Sequence, residues 1–98
     1  MKKVGLFDFF NKQTDNILGV EFPKFNGQKT FGWPKETNNY KRKDYYYKQD
    51  SEKVMEYISL INSYGFSRVN DKKYQNDNSY IIIEEIGNRL HIAFHVNK

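Results

Sequence analysis

Tyr80-Ile81-Ile82-Ile83-Glu84-Glu85-Ile86-Gly87-Asn88-Arg89-Leu90-His91-Ile92-Ala93-Phe94-His95-Val96 is the stretch on which the fold turns. β-Branched and aromatic residues fill both arms, and Gly87-Asn88 between them is a two-residue turn signal, so the stretch predicts a β-hairpin. That turn sets Ile86 opposite Arg89, Glu84 opposite His91, Ile83 opposite Ile92 and Tyr80 opposite His95. Alternation along a strand then defines two faces. One carries Ile81, Ile83, Leu90, Ile92, Phe94 and Val96, with Glu85 at the turn end, and is the expected core. The other carries Tyr80, Ile82, Glu84, Ile86, Arg89, His91, Ala93 and His95, a mixed set suited to a partly wet face. A slip of one residue would exchange the faces, so the assignment rests on the turn.

Working back from the hairpin, residues 66–75 read as a weak, polar strand containing Phe66, Val69 and Tyr74, and 75–78 as the turn joining it to the hairpin. Before it lies the clearest helix. Asp50 or Ser51 is a suitable cap, and Val54, Tyr57, Ile58, Ile61 and Tyr64 recur at helical spacing. Glu52 suits the positive first turn, Gly65 is a stop, and Phe66 can fold back onto the last turn. Residues 40–48, rich in Tyr, read partly as a strand. Residues 35–44 otherwise read as a polar surface loop.

Nearer the N-terminus, Val20–Phe25 and Gln28–Trp33 flank Asn26-Gly27, a strong turn pair, and predict a second hairpin with Val20, Phe22, Phe31 and Trp33 on one face. That face is read as core in preference to an exposed aromatic patch. Pro23 donates no ladder hydrogen bond, which makes its arm an edge or a short, irregular strand. Residues 13–18 read as linker. Residues 4–12 read as a short amphipathic helix with Leu6, Phe7 and Phe10 on one side, which packs on its own domain more readily than on a membrane.

The fold class expected is α+β in one domain, 1–98. A three-strand antiparallel meander at the C-terminus, with 42–48 available as a fourth edge strand, packs on one helix. A short N-terminal helix and a β-hairpin precede it. Ninety-eight residues support one modest core, and at 38% apolar but 17% aromatic content, with 8 Tyr and 8 Phe, large rings must supply much of the burial.

Composition also excludes chemistries. With no cysteine there is no disulfide, thiolate nucleophile or zinc–thiolate site. A net charge of +4, from 16 Lys+Arg against 12 Asp+Glu, is too mild for a dedicated nucleic-acid arm. Asp8 interrupts the apolar start and no small-residue cleavage site follows, so a cytoplasmic location is the expectation. No apolar run approaches a membrane span. Glycine-rich phosphate loops, H-E-x-x-H and nucleophile elbows are missing from the sequence. The two histidines, His91 and His95, lie about 13 Å apart along one strand face, too far to share a metal by themselves. No cofactor or metal is expected. Glu84 opposite His91 is the minimal acid–base pair, but such cross-strand pairs are ordinary surface features.

Tyr40-Lys41-Arg42-Lys43-Asp44-Tyr45-Tyr46-Tyr47-Lys48 interleaves cations with rings. Tyr, Trp and Arg dominate protein interfaces, so Lys41, Arg42, Lys43, Tyr45, Tyr46 and Tyr47 are the candidate binding residues. Alternation forces Tyr46 to one face and Tyr45 and Tyr47 to the other. The reading preferred is a small non-enzymatic protein that binds another protein, acidic in character, as immunity and inhibitor proteins do. The alternative is a single-stranded nucleic-acid module using the same segment, with rings stacking bases and cations tracking phosphates. An enzyme built on Glu84 and His91 is the third reading.

Overall fold

The computed structural model describes residues 13–30 and 41–97. The helix expected over 4–12 lies outside them, as do Phe31 and Trp33. In chain order the described elements are β1 (Thr14–Ile17), β2 (Val20–Pro23), β3 (Arg42–Lys48), α1 (Ser51–Ser63), β4 (Ser67–Arg68), β5 (Lys73–Gln75), β6 (Ser79–Ile86) and β7 (Arg89–Val96). The architecture is α+β. β1 and β2 form a two-stranded ribbon, and the other five strands form one antiparallel sheet in the order β3-β7-β6-β5-β4.

The β6–β7 hairpin has the register that its turn dictates, from Ile86 opposite Arg89 to Tyr80 opposite His95. Gly87 sits at φ 63 while Asn88 does not take a positive φ, the pattern of a turn that needs glycine only at its first central position. Ile81, Ile83, Leu90, Ile92, Phe94 and Val96 are all buried. β3 joins β7 at the sheet edge, Tyr46 opposite His91 and Asp44 opposite Ala93.

Helix α1 begins and ends where its capping residues require. The Asp50 carboxylate accepts from the Lys53 amide at 3.2 Å, satisfying one of the free N–H groups of the first turn. At the other end the Phe66 amide donates to the Ile61 carbonyl and the Gly65 amide to that of Asn62, both at 3.1 Å, with Gly65 at φ 90. This paired closure needs a left-handed residue that only glycine adopts without strain. It folds Phe66 back into the core. Val54, Tyr57 and Ile61 are buried against the sheet, Ile58 is half-buried, and Tyr64 at the end of the stripe is exposed. Asp50→Ala should cost about 1 kcal/mol, read as a lower denaturation midpoint with an unchanged slope. A change below a few tenths would mean the cap is idle.

Three expectations need correction. Residues 14–17 are a strand and not a linker, pairing with β2 through a tight Leu18-Gly19 turn. Both turn residues have positive φ, 57 and 83, and the Asn16 side-chain oxygen accepts from the Gly19 amide at 3.3 Å. Leucine rarely adopts this conformation, which is why the turn is hidden in the sequence. Second, Asn26-Gly27 does not turn a hairpin. Residues 28–30 run along the open edge of β3 instead, with Thr30 donating to Tyr46 and Lys48 to Gln28 at 2.8 Å. Gly27 serves close approach: a Cβ there would run into the ring of Phe25, whose Cδ2 and Cζ lie at 2.9 and 3.0 Å from the built position. Third, the single strand expected over 66–75 is two strands, β4 and β5, turned at Asn70. The Asn70 side-chain oxygen accepts from the amides of Lys72 and Lys73 at 2.9 and 3.0 Å.

The ribbon β1–β2 closes the core beside α1. Phe22 is fully buried, 5.0 Å from Phe94 and 6.2 Å from Phe66 between ring centres. Phe25 packs edge-on against Tyr47 and Tyr57 at 4.7 and 5.2 Å. The Tyr57 hydroxyl donates to the Pro23 carbonyl at 2.6 Å, tying helix to ribbon. Phe22 is therefore core, and Val20 packs half-buried against it.

Candidate functional site

β3 divides the candidate binding residues between the two faces of the sheet. Tyr45 and Tyr47 point toward α1 and the ribbon, with Tyr47 buried and Tyr45 half-buried. Lys43 shares their face by alternation and is half-buried. Arg42 and Tyr46 lie on the opposite face, Arg42 half-buried and Tyr46 only 4% exposed. Lys41 is exposed just before the strand. The segment thus serves two separate arrangements.

The first arrangement is a charged network on the outer face. Arg42 clamps Asp44 through two donors, Nε at 2.7 Å and Nη2 at 3.2 Å. His91 Nε2 lies 3.1 Å from Asp44 Oδ2, and its Nδ1 lies 3.2 Å from Glu84 Oε1. Lys72 completes the row at 3.1 Å from Glu84 Oε2. Tyr46 stacks on the His91 ring at 4.7 Å, 16° from parallel. The small Ala93 opposite Asp44 leaves the diagonal open for the imidazole to reach across from β7. His91 can donate to both carboxylates only with a proton on each nitrogen, because neutral imidazole has a single N–H. The ring is 6% exposed and both nitrogens are engaged. It fastens β3, β7 and β6 together and leaves no nitrogen turned toward a substrate.

Electrostatics along this row follow from the partners. Burial acts most strongly on Asp44 and pushes its carboxyl upward, but the hydrogen bonds from Arg42 and His91 together outweigh it and hold the group below the usual carboxylate value. Hydrogen bonds from His91 and then Lys72 lower Glu84. Asp44 in turn raises Arg42. Nearby His95, stacked on Tyr80 at 4.2 Å, is lowered by burial and then by the Arg42 charge.

These shifts have one sign for stability. The depressed carboxylates contribute stability above their unfolded values, lost as pH falls through the folded ones. A histidine with a depressed value also loses folded stability as pH falls through the unfolded histidine range, because the unfolded chain takes up the proton first. The protein is expected to lose stability steadily on acidification below neutrality. Denaturant melts at successive pH values check this, and the acid limb should be shallower in Asp44→Asn. Greater stability at pH 4 than at pH 7 would contradict it.

The second arrangement is a groove of about 640 Å³ on the inner side of β3, between the strand and the 23–29 segment. Phe25, Tyr45 and Tyr47 contribute rings to it. Lys24 and Lys29 stand at its rim, both exposed, with Asp15 of β1 nearby. The Lys29 ammonium lies 4.6 Å from the centre of the Tyr45 ring, a cation–π contact. Tyr45 also meets Phe94 edge-on at 5.8 Å. Burial, and secondarily the neighbouring Tyr45 and Asp15, push the Tyr47 hydroxyl well up, so it stays a neutral donor throughout the ordinary pH range.

Of the residues that matter here, the sequence assigns Asp44 no role and places Phe25 and Lys29 in the arms of an expected hairpin. The lone acid among cations was a signal, but its partner His91 lies 47 positions away and is identified only by the β3–β7 register. Among the described residues no group of three His, Cys, Asp or Glu is placed to hold a metal ion, and no helix is long and apolar enough to cross a membrane. No protein-family model, curated protein or solved structure matches the chain.

Proposed function

We propose that this chain is a small non-enzymatic protein that acts by binding another protein, in the manner of immunity and inhibitor proteins. The observation that carries the reading is the groove beside β3. There the half-buried Tyr45 ring, backed by the buried Phe25 and Tyr47, meets the exposed Lys24 and Lys29, the mixture of ring and cations in which interface energy concentrates. The strand wall behind it is fixed on one side by β7 and on the other by residues 28–30, so the surface is preorganised and little ordering entropy is lost on docking.

Single-stranded nucleic acid is the alternative partner for residues 40–48. It is supported less well. Tyr46 and Tyr47 are 4% and 5% exposed and have no open ring face on which a base could stack. The network around His91 reads as a structural fastening between strands, not as a catalytic centre.

The test begins with capture of partners on the immobilised protein, followed by titration of each purified candidate. A specific partner should bind the wild type with a one-to-one endpoint and bind Tyr45→Ala about tenfold or more weakly. Tyr45→Ala must first be shown to remain folded by its far-UV spectrum and melting midpoint. Strong, steeply salt-dependent binding of a thymidine oligonucleotide, with no purified protein bound, would replace this reading with the nucleic-acid one.

A further inference from the structure

We infer that the groove receives an extended acidic segment of the partner, an apolar side chain resting against the half-buried Tyr45 ring and its carboxylates beside Lys24 and Lys29. The inference rests on the protein-binding reading and adds the partner's chemistry to it.

Charge complementarity is the first support. Among the described residues neither Lys24 nor Lys29 forms an ion pair, whereas Arg42, Arg68 and Lys72 each do. Lys29 is also oriented toward the groove. Its contact with the Tyr45 ring favours an ammonium position beside the groove without using up its N–H donors on an acceptor. An incoming carboxylate therefore meets a positioned cation with part of its entropy already lost. The chain's net charge of +4 works in the same direction by steering acidic partners toward it.

Asp15 makes the inference specific. In the ribbon Asp15 is opposite Phe22, and the Lys24 amide donates to the Gln13 carbonyl at 2.8 Å. Asp15 and Lys24 are thus diagonal neighbours across the two strands. Lining the groove beside Lys24, the aspartate is a negative charge that repels an acidic ligand at that end. Removing its charge should strengthen binding of an acidic segment, while reversing the lysines should weaken it. A surface that merely collects apolar groups would respond to neither change.

The probes are a fluorescein-labelled peptide of alternating Glu and Phe about eight residues long, its counterpart with Lys for Glu, and a thymidine oligonucleotide of similar length. Fluorescence anisotropy with the full chain should show the acidic peptide bound and the basic one not. The double variant Lys24→Glu, Lys29→Glu should weaken the acidic peptide about tenfold or more, and Asp15→Asn should tighten it about two- to fivefold. Lys48→Glu, an exposed change on the far face of β3, should have little effect. All four positions are exposed, so these variants should remain folded, and melting midpoints verify it. Failure of the acidic peptide to bind, equal binding of both peptides, or indifference to the lysine reversals overturns the inference. If a purified partner nevertheless depends on Tyr45, the protein-binding reading stands without it. Binding of the oligonucleotide alone overturns both.

Discussion

Phe94→Ala is expected to destabilise the protein by about 3–5 kcal/mol, a large fraction of the total stability of a domain this size. Phe94 is 2% exposed and occupies the centre of the inner sheet face. It joins two parts of the core distant in sequence, with Phe22 of the ribbon at 5.0 Å and Tyr45 of β3 at 5.8 Å. Truncation removes the transfer energy of the ring and leaves a cavity. Phe22 is itself fully buried against Phe66, so its ring has little freedom to collapse into the space. The spread of measured costs at such sites reflects how well the surroundings relax, and a rigid aromatic surround favours the upper end. Urea unfolding monitored by far-UV circular dichroism measures the loss. Phe94→Leu keeps most of the volume and should cost appreciably less. A Phe94→Ala cost below about 1 kcal/mol would contradict the seating of the ribbon on the sheet around Phe94.

Asp44→Asn is expected to cost about 2–4 kcal/mol, and Glu84→Gln no more than about 1 kcal/mol, although both carboxylates contact the same imidazole. The difference is burial. The Asp44 side chain is 3% exposed and sits between Arg42 and the buried His91 ring, so replacing it weakens the clamp on Arg42 and unpairs a ring nitrogen that water reaches poorly. The Glu84 side chain is 33% exposed, and water can replace what it offers to His91 and Lys72. A double-mutant cycle between Asp44 and His91 should return a coupling of about 1 kcal/mol or more. Equal costs for the two single variants would show that the outer face is uniformly wet and that the network is decorative.

Local signals in the sequence determined much of this protein. The β6–β7 hairpin is legible because a two-residue turn and strict alternation set register and face together, and nothing distant can alter either without moving every core side chain to the wrong side. The span of α1 is legible because Asp50, the apolar stripe and Gly65 each act within one turn of helix. Strand 42–48 is legible as far as alternation goes, which requires its tyrosines to divide between two faces.

Tertiary structure decided the rest. Leu18 takes a conformation that local sterics disfavour, held because β1 and β2 pair around it and Asn16 supports the turn. Asn26-Gly27 carries the local chemistry of a hairpin, yet the neighbouring segment pairs with β3, and the glycine is needed for lack of a Cβ against Phe25. Lys24 and Lys29 came to line a groove with Tyr45 and Tyr47, and Asp44 came to meet His91, through contacts between distant parts of the chain. Periodicity ranks a residue by the face it occupies on its own element. Which other element covers that face depends on long-range packing of the whole core, where a few aromatic contacts outweigh a local turn preference.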